Sequence, residues 1–212
     1  MPNDTTPDLA SLLCSRLCHD LLSPVGAMAN GLELLADEKN PEMRQRCMEL
    51  LENSAKISTD KLKFFRLAFG SASGFDHMVP LEEPKALIAA LIANNGRITL
   101  EWSAGTPALP KTAIKVLLNL ALIGIESLAR GGTLAIGVEA SEGGGEIAIR
   151  AAGPKITFDP VIGRALDGSL PASDLSSRTA PAAMVHQLVT DNGGGLQVAL
   201  SPEALVLGCV MG

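Results

Sequence analysis

The stretch that decides the fold is Ser15-Arg16-Leu17-Cys18-His19-Asp20-Leu21-Leu22-Ser23-Pro24-Val25-Gly26-Ala27-Met28-Ala29-Asn30-Gly31-Leu32-Glu33-Leu34-Leu35. Extended back to Ala10, it carries apolar residues at Ala10, Leu13, Cys14, Leu17, Leu21, Val25, Met28, Leu32 and Leu35. That is the three-and-four spacing of a long helix with one apolar face. Thr6-Pro7-Asp8 reads as its start, with a capping hydroxyl, proline at the first position and an acid near the positive end of the dipole. Asn40-Pro41-Glu42 repeats the device, and Met43, Cys47, Leu50, Ile57 and Phe64 give the second helix its own apolar face, with Gly70 as its stop. Only a short turn fits between Ala36 and Lys39, so the two helices are antiparallel neighbours. One hairpin has too little surface to cover two such faces. Two copies joined as a four-helix bundle would cover both, and a homodimer is expected.

From about residue 75 glycine, proline and short β-like runs replace the long helical period. Strands are predicted over Ile98–Trp102, Thr133–Glu139, Glu146–Ala152, Leu196–Leu200 and Leu205–Met211, and helices over Glu82–Ala93, Lys111–Ala129 and Ala180–Asp191. Gly131-Gly132 turns a helix into a strand, and Gly143-Gly144-Gly145 suits a hairpin loop. The expected fold is α+β: a helical hairpin over residues 1–71, then an α/β sandwich over 75–212, with Ala72–Met78 as linker.

Composition removes several functions. The chain has 212 residues, 47% of them apolar, which suits one large or two small globular domains. A net charge of −6 without a Lys/Arg cluster argues against a nucleic-acid surface. The apolar run from Leu9 to Leu35 is broken by Arg16, His19, Asp20, Asn30 and Glu33, so no membrane span is expected. Met-Pro-Asn-Asp lacks the basic start of a secretory signal, and a cytoplasmic protein is expected, with Cys14, Cys18, Cys47 and Cys209 reduced and mostly buried.

His19 is the candidate catalytic residue. At about 100° per residue, Leu17, Val25 and Met28 fall opposite it, while Leu12, Ser15, Arg16, Ser23, Gly26 and Asn30 fall on its own side. An outward histidine in mid-helix has no packing role, and an ordinary imidazole is largely neutral and nucleophilic near pH 7. Asp20 can hydrogen-bond one ring nitrogen and leave the other free to attack. Pro24 removes the backbone bond to the Asp20 carbonyl and is expected to bend the helix there. A metal site built on Cys14, Cys18 and His19 is disfavoured, because Cys14 lies on the apolar face and His19 opposite. His77 and His186 have no comparable setting.

Cys18-His19-Asp20-Leu21-Leu22-Ser23-Pro24 resembles the H-box of two-component signalling proteins, and the run from Ser15 to Leu35 resembles the ChpT-type histidine phosphotransferases. The second half resembles the Bergerat (GHKL) ATP-binding domain of histidine kinases, with its key positions changed. Leu117 to Ile123 looks like the N-box helix, with Ile123 where that family has a magnesium-binding asparagine. Ala151-Ala152-Gly153-Pro154-Lys155-Ile156 looks like the Asp-x-Gly-x-Gly box, with Ala151 in place of the adenine-reading aspartate and Lys155 in place of the last glycine. Thr179-Ala180-Pro181-Ala182 stands where a second glycine-rich loop would be, so phosphates would find no glycine cradle.

The resemblance implies a phosphorelay enzyme that does not use ATP. His19 would take a phosphoryl group from a receiver aspartate of a hybrid kinase and pass it to receiver aspartates of CtrA- and CpdR-like response regulators. No cofactor is expected on this chain; magnesium would sit in the partner receiver. Leu12, Ser15, Arg16, Leu22, Ser23, Gly26 and Asn30 are the candidate partner-binding residues, with Arg16 suited to a phosphoryl or carboxylate oxygen and Gly26 to close approach. Two rivals stand beside this reading: an active sensor-kinase core, and a dimeric scaffold that binds receivers without accepting phosphate.

Overall fold

The computed structural model describes residues 8–70, 78–93, 96–141 and 144–212. Helix α1 spans Leu9–Asp37 and α2 spans Pro41–Phe69. The cap of α1 is Asp8, whose carboxylate accepts from the Ala10 amide at 3.3 Å; Thr6 and Pro7 lie outside the described residues. Asn40 caps α2 as expected, its side chain accepting from the amides of Glu42 and Met43, with Pro41 at the first position. Gly70 ends α2 through its amide to the Arg66 carbonyl. A Cβ there would lie 2.1 Å from that oxygen, so the stop needs glycine.

The second part follows as β1 (Met78–Pro80), α3 (Glu82–Ala93), β2 (Ile98–Ala104), β3 (Ala108–Pro110), α4 (Lys111–Ser127), β4 (Gly132–Ser141), β5 (Gly144–Ala152), α5 (Pro160–Leu166), a short 3-10 turn, α6 (Ala180–Asp191), β6 (Gly195–Leu200) and β7 (Ala204–Met211). Five strands form one sheet in the order β2-β4-β5-β7-β6, parallel between β2 and β4 and antiparallel elsewhere. β1 and β3 form a separate two-stranded ribbon. The five predicted strands and three predicted helices are all present. The short β1, β3 and α5 were not anticipated, because three to seven residues hold too little periodicity to read. Met78, expected in the linker, opens β1; the rest of the linker, the domain boundary and His77 lie outside the described residues, as does Gly143, while Gly144 and Gly145 belong to β5.

Inward-facing residues alternate along each central strand: Leu134, Ile136 and Val138 on β4, Ile147, Ile149 and Ala151 on β5, and Leu205, Leu207, Cys209 and Met211 on β7. They meet α4, which is buried at every position from Thr112 to Gly124. A helix buried on all sides must lie between two layers. One layer is the sheet; the rest of the cover is α3, α6 and the C-terminal end of the hairpin, where Phe64, Phe65 and Ala68 of α2 enter the same apolar core. Phe64 and Phe65 meet edge to face at 5.7 Å, and Phe65 stacks on Phe69 at 5.0 Å. The two halves read from sequence therefore share one core. Phe64, expected on a bundle face, serves that junction instead, and Cys47 is buried within the hairpin.

The cysteines divide evenly, which corrects the expectation that most are buried. Cys47 and Cys209 are buried, while Cys14 and Cys18 are exposed because a single chain leaves the apolar face of α1 uncovered. Burial pushes the Cys209 thiol up to about 11, so it stays protonated and unreactive at neutral pH. His186 is structural: its Nδ1 lies 2.9 Å from the Leu166 carbonyl at the end of α5.

Gly124 is where α4 comes closest to the sheet. A Cβ there would sit 2.7 Å from Leu134 Cδ1 and 3.3 Å from Ile149 Cγ2. Gly124→Val is expected to lower unfolding stability by about 1–3 kcal/mol through overpacking, read by urea denaturation. An unchanged midpoint would show that the helix can move off the sheet at no cost.

Candidate functional site

Asp8 and Asn40 fix where the two helices begin, and the short connection at residues 38–40 sets them side by side. Close packing between them uses Gly31, where an added Cβ would lie 3.1 Å from Leu51 Cδ2, together with the buried Pro24, Cys47, Ser54 and Ser58. This contact face of α1 lies about 80° round the helix from the middle of its apolar stripe. The stripe is therefore only half covered: Val25 and Leu32 remain exposed, and Leu17, Leu21 and Met28 are half-buried.

His19 projects on the opposite side, with its side chain 80% exposed. Its Nδ1 lies 3.1 Å from Asp20 Oδ1. An ionised carboxylate can only accept, so this bond places the ring proton on Nδ1 and leaves the Nε2 lone pair facing solvent. Asp20 is itself held. Its Oδ2 accepts from Arg16 Nε at 3.0 Å, one helical turn back, and the other arm of that guanidinium, Nη2, donates to Glu126 near the end of α4. Burial alone would weaken the hold of Arg16 on its proton, but Glu126 and then Asp20 outweigh that cost and raise its pKa.

Pro24 has a second consequence. The Asp20 carbonyl loses its usual partner four residues on, because proline has no N–H. Lys61 of α2 takes that place, its Nζ donating to the Asp20 carbonyl at 2.8 Å, and α1 runs unbroken through Pro24 to Asp37. Both the backbone and the side chain of Asp20 are thus fixed from other elements.

Of the expected partner-binding residues, Ser15, Leu22, Ser23, Gly26 and Asn30 are exposed on or beside the His19 face. Leu22 is 70% exposed, and nothing lies within 4 Å of where a Gly26 Cβ would be, so that face is open to close approach. Leu12 is half-buried. Arg16 departs from expectation: it is 9% exposed and committed to Asp20 and Glu126. Angle-counting placed it near His19 correctly but could not show that the second domain would cover it. Sequence reasoning missed Glu126 and Lys61, which lie 110 and 41 positions from their partners in the chain. The lone proline in the helix signalled an orphan carbonyl; nothing signalled which side chain would fill it.

The kinase-like boxes are built into the apolar core. Ile123 is 5% exposed on α4 and Ala151 is fully buried on β5. Thr179 is the buried cap residue of α6, followed by buried Ala180, Pro181 and Ala182. Lys155 and Arg150 lie on the surface. Gly153 is pressed against the Gly131 carbonyl, where a Cβ would come within 2.5 Å, and Gly193 turns with a φ of +66°, so these glycines serve backbone packing and turns. Among the described residues no three His, Cys, Asp or Glu side chains gather as a metal site would need, and no helix is long and apolar enough to cross a membrane.

A long helical hairpin presents an outward histidine and is backed by an α/β layer that shares one core with it, the frame of the phosphotransfer proteins to which this chain is similar. Residues 81–204 match the sequence profile of the histidine phosphotransferase C-terminal domain, and the chain belongs to that family. It is 31% identical to the protein phosphotransferase ChpT of Brucella abortus (strain 2308), over 94% of this chain and 93% of that one. A solved bacterial phosphotransferase superposes with a TM-score of 0.84 at 30% identity, covering 96% of each chain.

Lys61→Met should cost about 1 kcal/mol of stability by leaving the Asp20 carbonyl unpaired. The same change made on a Pro24→Ala background, where the backbone N–H returns, should cost clearly less. A double-mutant cycle by thermal unfolding reads the difference, and equal costs in both backgrounds would refute the assignment.

Proposed function

We propose that this protein is the histidine phosphotransferase of a phosphorelay, in which His19 Nε2 carries the phosphoryl group. The observation that carries the reading is the exposed imidazole with its Nδ1 tied to Asp20, which leaves Nε2 unprotonated and open to an incoming phosphorus. The donor is the aspartyl phosphate of a hybrid-kinase receiver, and the acceptors are receiver aspartates of CtrA- and CpdR-like response regulators. In the forward step Nε2 attacks phosphorus, the N–P bond forms, and the aspartate carboxylate leaves. The reverse step onto a second receiver breaks the N–P bond and regenerates the imidazole. Magnesium belongs to the receiver's acidic pocket. The work left to this chain is to hold the imidazole in line, a matter of positioning.

Leu22, Ser23, Gly26 and Asn30 offer the receiver an apolar and polar surface around the histidine, and exposed Leu22 is the apolar anchor of that surface. The uncovered stripe of Val25 and Leu32, with half-buried Leu21 and Met28, supports a homodimeric four-helix bundle. It continues through Leu17 into an apolar hollow lined by Leu62, Phe65 and Phe69 of α2. Both dimer histidines then point away from the bundle axis, where two receivers can reach them. Burial of Ile123 and Ala151 supports a protein that does not use ATP, since neither side chain offers an oxygen for magnesium or for the adenine amine.

The test is to incubate purified protein with radiolabelled ATP, and separately with a phosphorylated hybrid-kinase receiver. Label is expected with the receiver alone, and His19→Ala should abolish it while leaving the oligomeric state unchanged. Label from ATP alone would establish a kinase, and transfer that survives His19→Ala would sink the assignment. Leu22→Asp is expected to weaken receiver binding by about tenfold or more, from the loss of one buried leucine, measured by calorimetry. Leu32→Glu should convert dimer to monomer in sedimentation; a monomeric wild type would remove the bundle from the reading.

A further inference from the structure

We propose that Glu126, on the last turn of α4, is a positioning residue for His19: acting through Arg16 and Asp20, it sets which ring nitrogen carries the proton. This rests on the phosphorelay reading for its purpose, but its geometry is independent of it. Four side chains form one continuous line from the second domain to the imidazole. Glu126 accepts from Arg16 Nη2, Arg16 Nε donates to Asp20 Oδ2, and Asp20 Oδ1 accepts from His19 Nδ1.

Three features make the line more than incidental surface pairing. First, free histidine prefers its proton on Nε2, so a nucleophilic Nε2 requires the less stable tautomer. Among the described residues, only the bond to Asp20 supplies that bias. Second, Arg16 and Asp20 are the sheltered members, with side chains 10% and 16% exposed, while His19 at one end is 80% exposed. A guanidinium fork fixed at both ends locks the carboxylate plane, whereas one held at a single end can rotate and carry the carboxylate with it. Third, Glu126 stands where a helix disfavours it, because an acid in the last turn meets the negative end of the dipole. Helix stability does not account for it; pairing with Arg16 does.

The geometry also assigns the second domain a role that needs no nucleotide. α4 is pinned to the sheet at Gly124, two residues before Glu126, and to the hairpin by Phe64, Phe65 and Ala68. The end of α4 is thereby a rigid post against which α1 sets its arginine. A hairpin alone would keep Asp20 but lose the anchor of Arg16.

The tautomer is read directly by two-dimensional nitrogen–proton correlation of the histidine rings in the full chain, at a pH where His19 is neutral, with His19→Ala identifying its signals. Wild type should show His19 protonated on Nδ1. Glu126→Ala should move it toward the Nε2-protonated form and slow phosphoryl uptake from a phosphorylated receiver by about ten- to hundredfold, with receiver affinity unchanged. Glu126→Gln keeps an oxygen acceptor without the charge and should fall between the two; it decides the matter if the alanine variant fails to fold. A wild-type ring pattern in both variants would overturn the inference, even if their melting temperatures fell, because Glu126 would then serve only domain packing. A tautomer shift in the Glu126 variants, with wild-type protein that takes no phosphoryl group, would instead sink the phosphorelay reading and leave the positioning role standing.

Discussion

The structure depends on one constraint: α4 is buried at every position from Thr112 to Gly124, polar residues included, so it must be enclosed between layers. The five-stranded sheet covers one side. The rest of the cover comes from α3, α6 and the end of the hairpin, where Phe64, Phe65 and Ala68 reach into the core that α4 anchors. Burying those aromatics fixes the hairpin's direction relative to the sheet, and that direction brings Arg16 of α1 to Glu126 of α4. An apolar packing requirement thus determines the polar alignment beside it.

The sheltered guanidinium of Arg16 gives up hydration, and Glu126 and then Asp20 outweigh that cost and raise its pKa. Replacing a sheltered ion pair by an apolar pair of similar volume is often neutral for stability. What ions provide that apolar contacts cannot is direction, because the planar fork of Arg16 fixes the carboxylate of Asp20, and Asp20 fixes the ring of His19. Asp20, next to the imidazole, is sheltered and held while the imidazole itself stays exposed. On the phosphorelay proposed above, such a division suits a carrier that must meet more than one partner.

Much of this was legible in the sequence, and the limits fall in identifiable places. The helical hairpin, its Asn40 cap, its Gly70 stop and the outward direction of His19 follow from spacing and capping chemistry, which act over a few residues. Strands β4, β5 and β7 read clearly because alternation is strong where one face is buried. Long-range pairings did not read. Arg16 counted correctly onto the His19 side, yet whether it met a receiver or Glu126 depended on the docking of a domain that begins more than sixty residues later. The α2 face was misassigned in part for the same reason: Phe64 belongs to the shared core, and periodicity cannot tell which neighbour an apolar face will meet.

Two of the stretches that resemble kinase boxes in sequence carry aliphatic side chains of the core at their key positions. Ile123 and Ala151 belong to the same buried apolar cluster as Leu128, Ile149, Ile162 and Leu166. An aliphatic side chain at such a position carries no buried polar group that would need a partner. The layered shape holds because the sheet and α4 require one another. What the second domain thereby does is hold the end of α4, and with it Glu126, at a fixed place beside the hairpin, which is what an imidazole that must present one particular nitrogen requires.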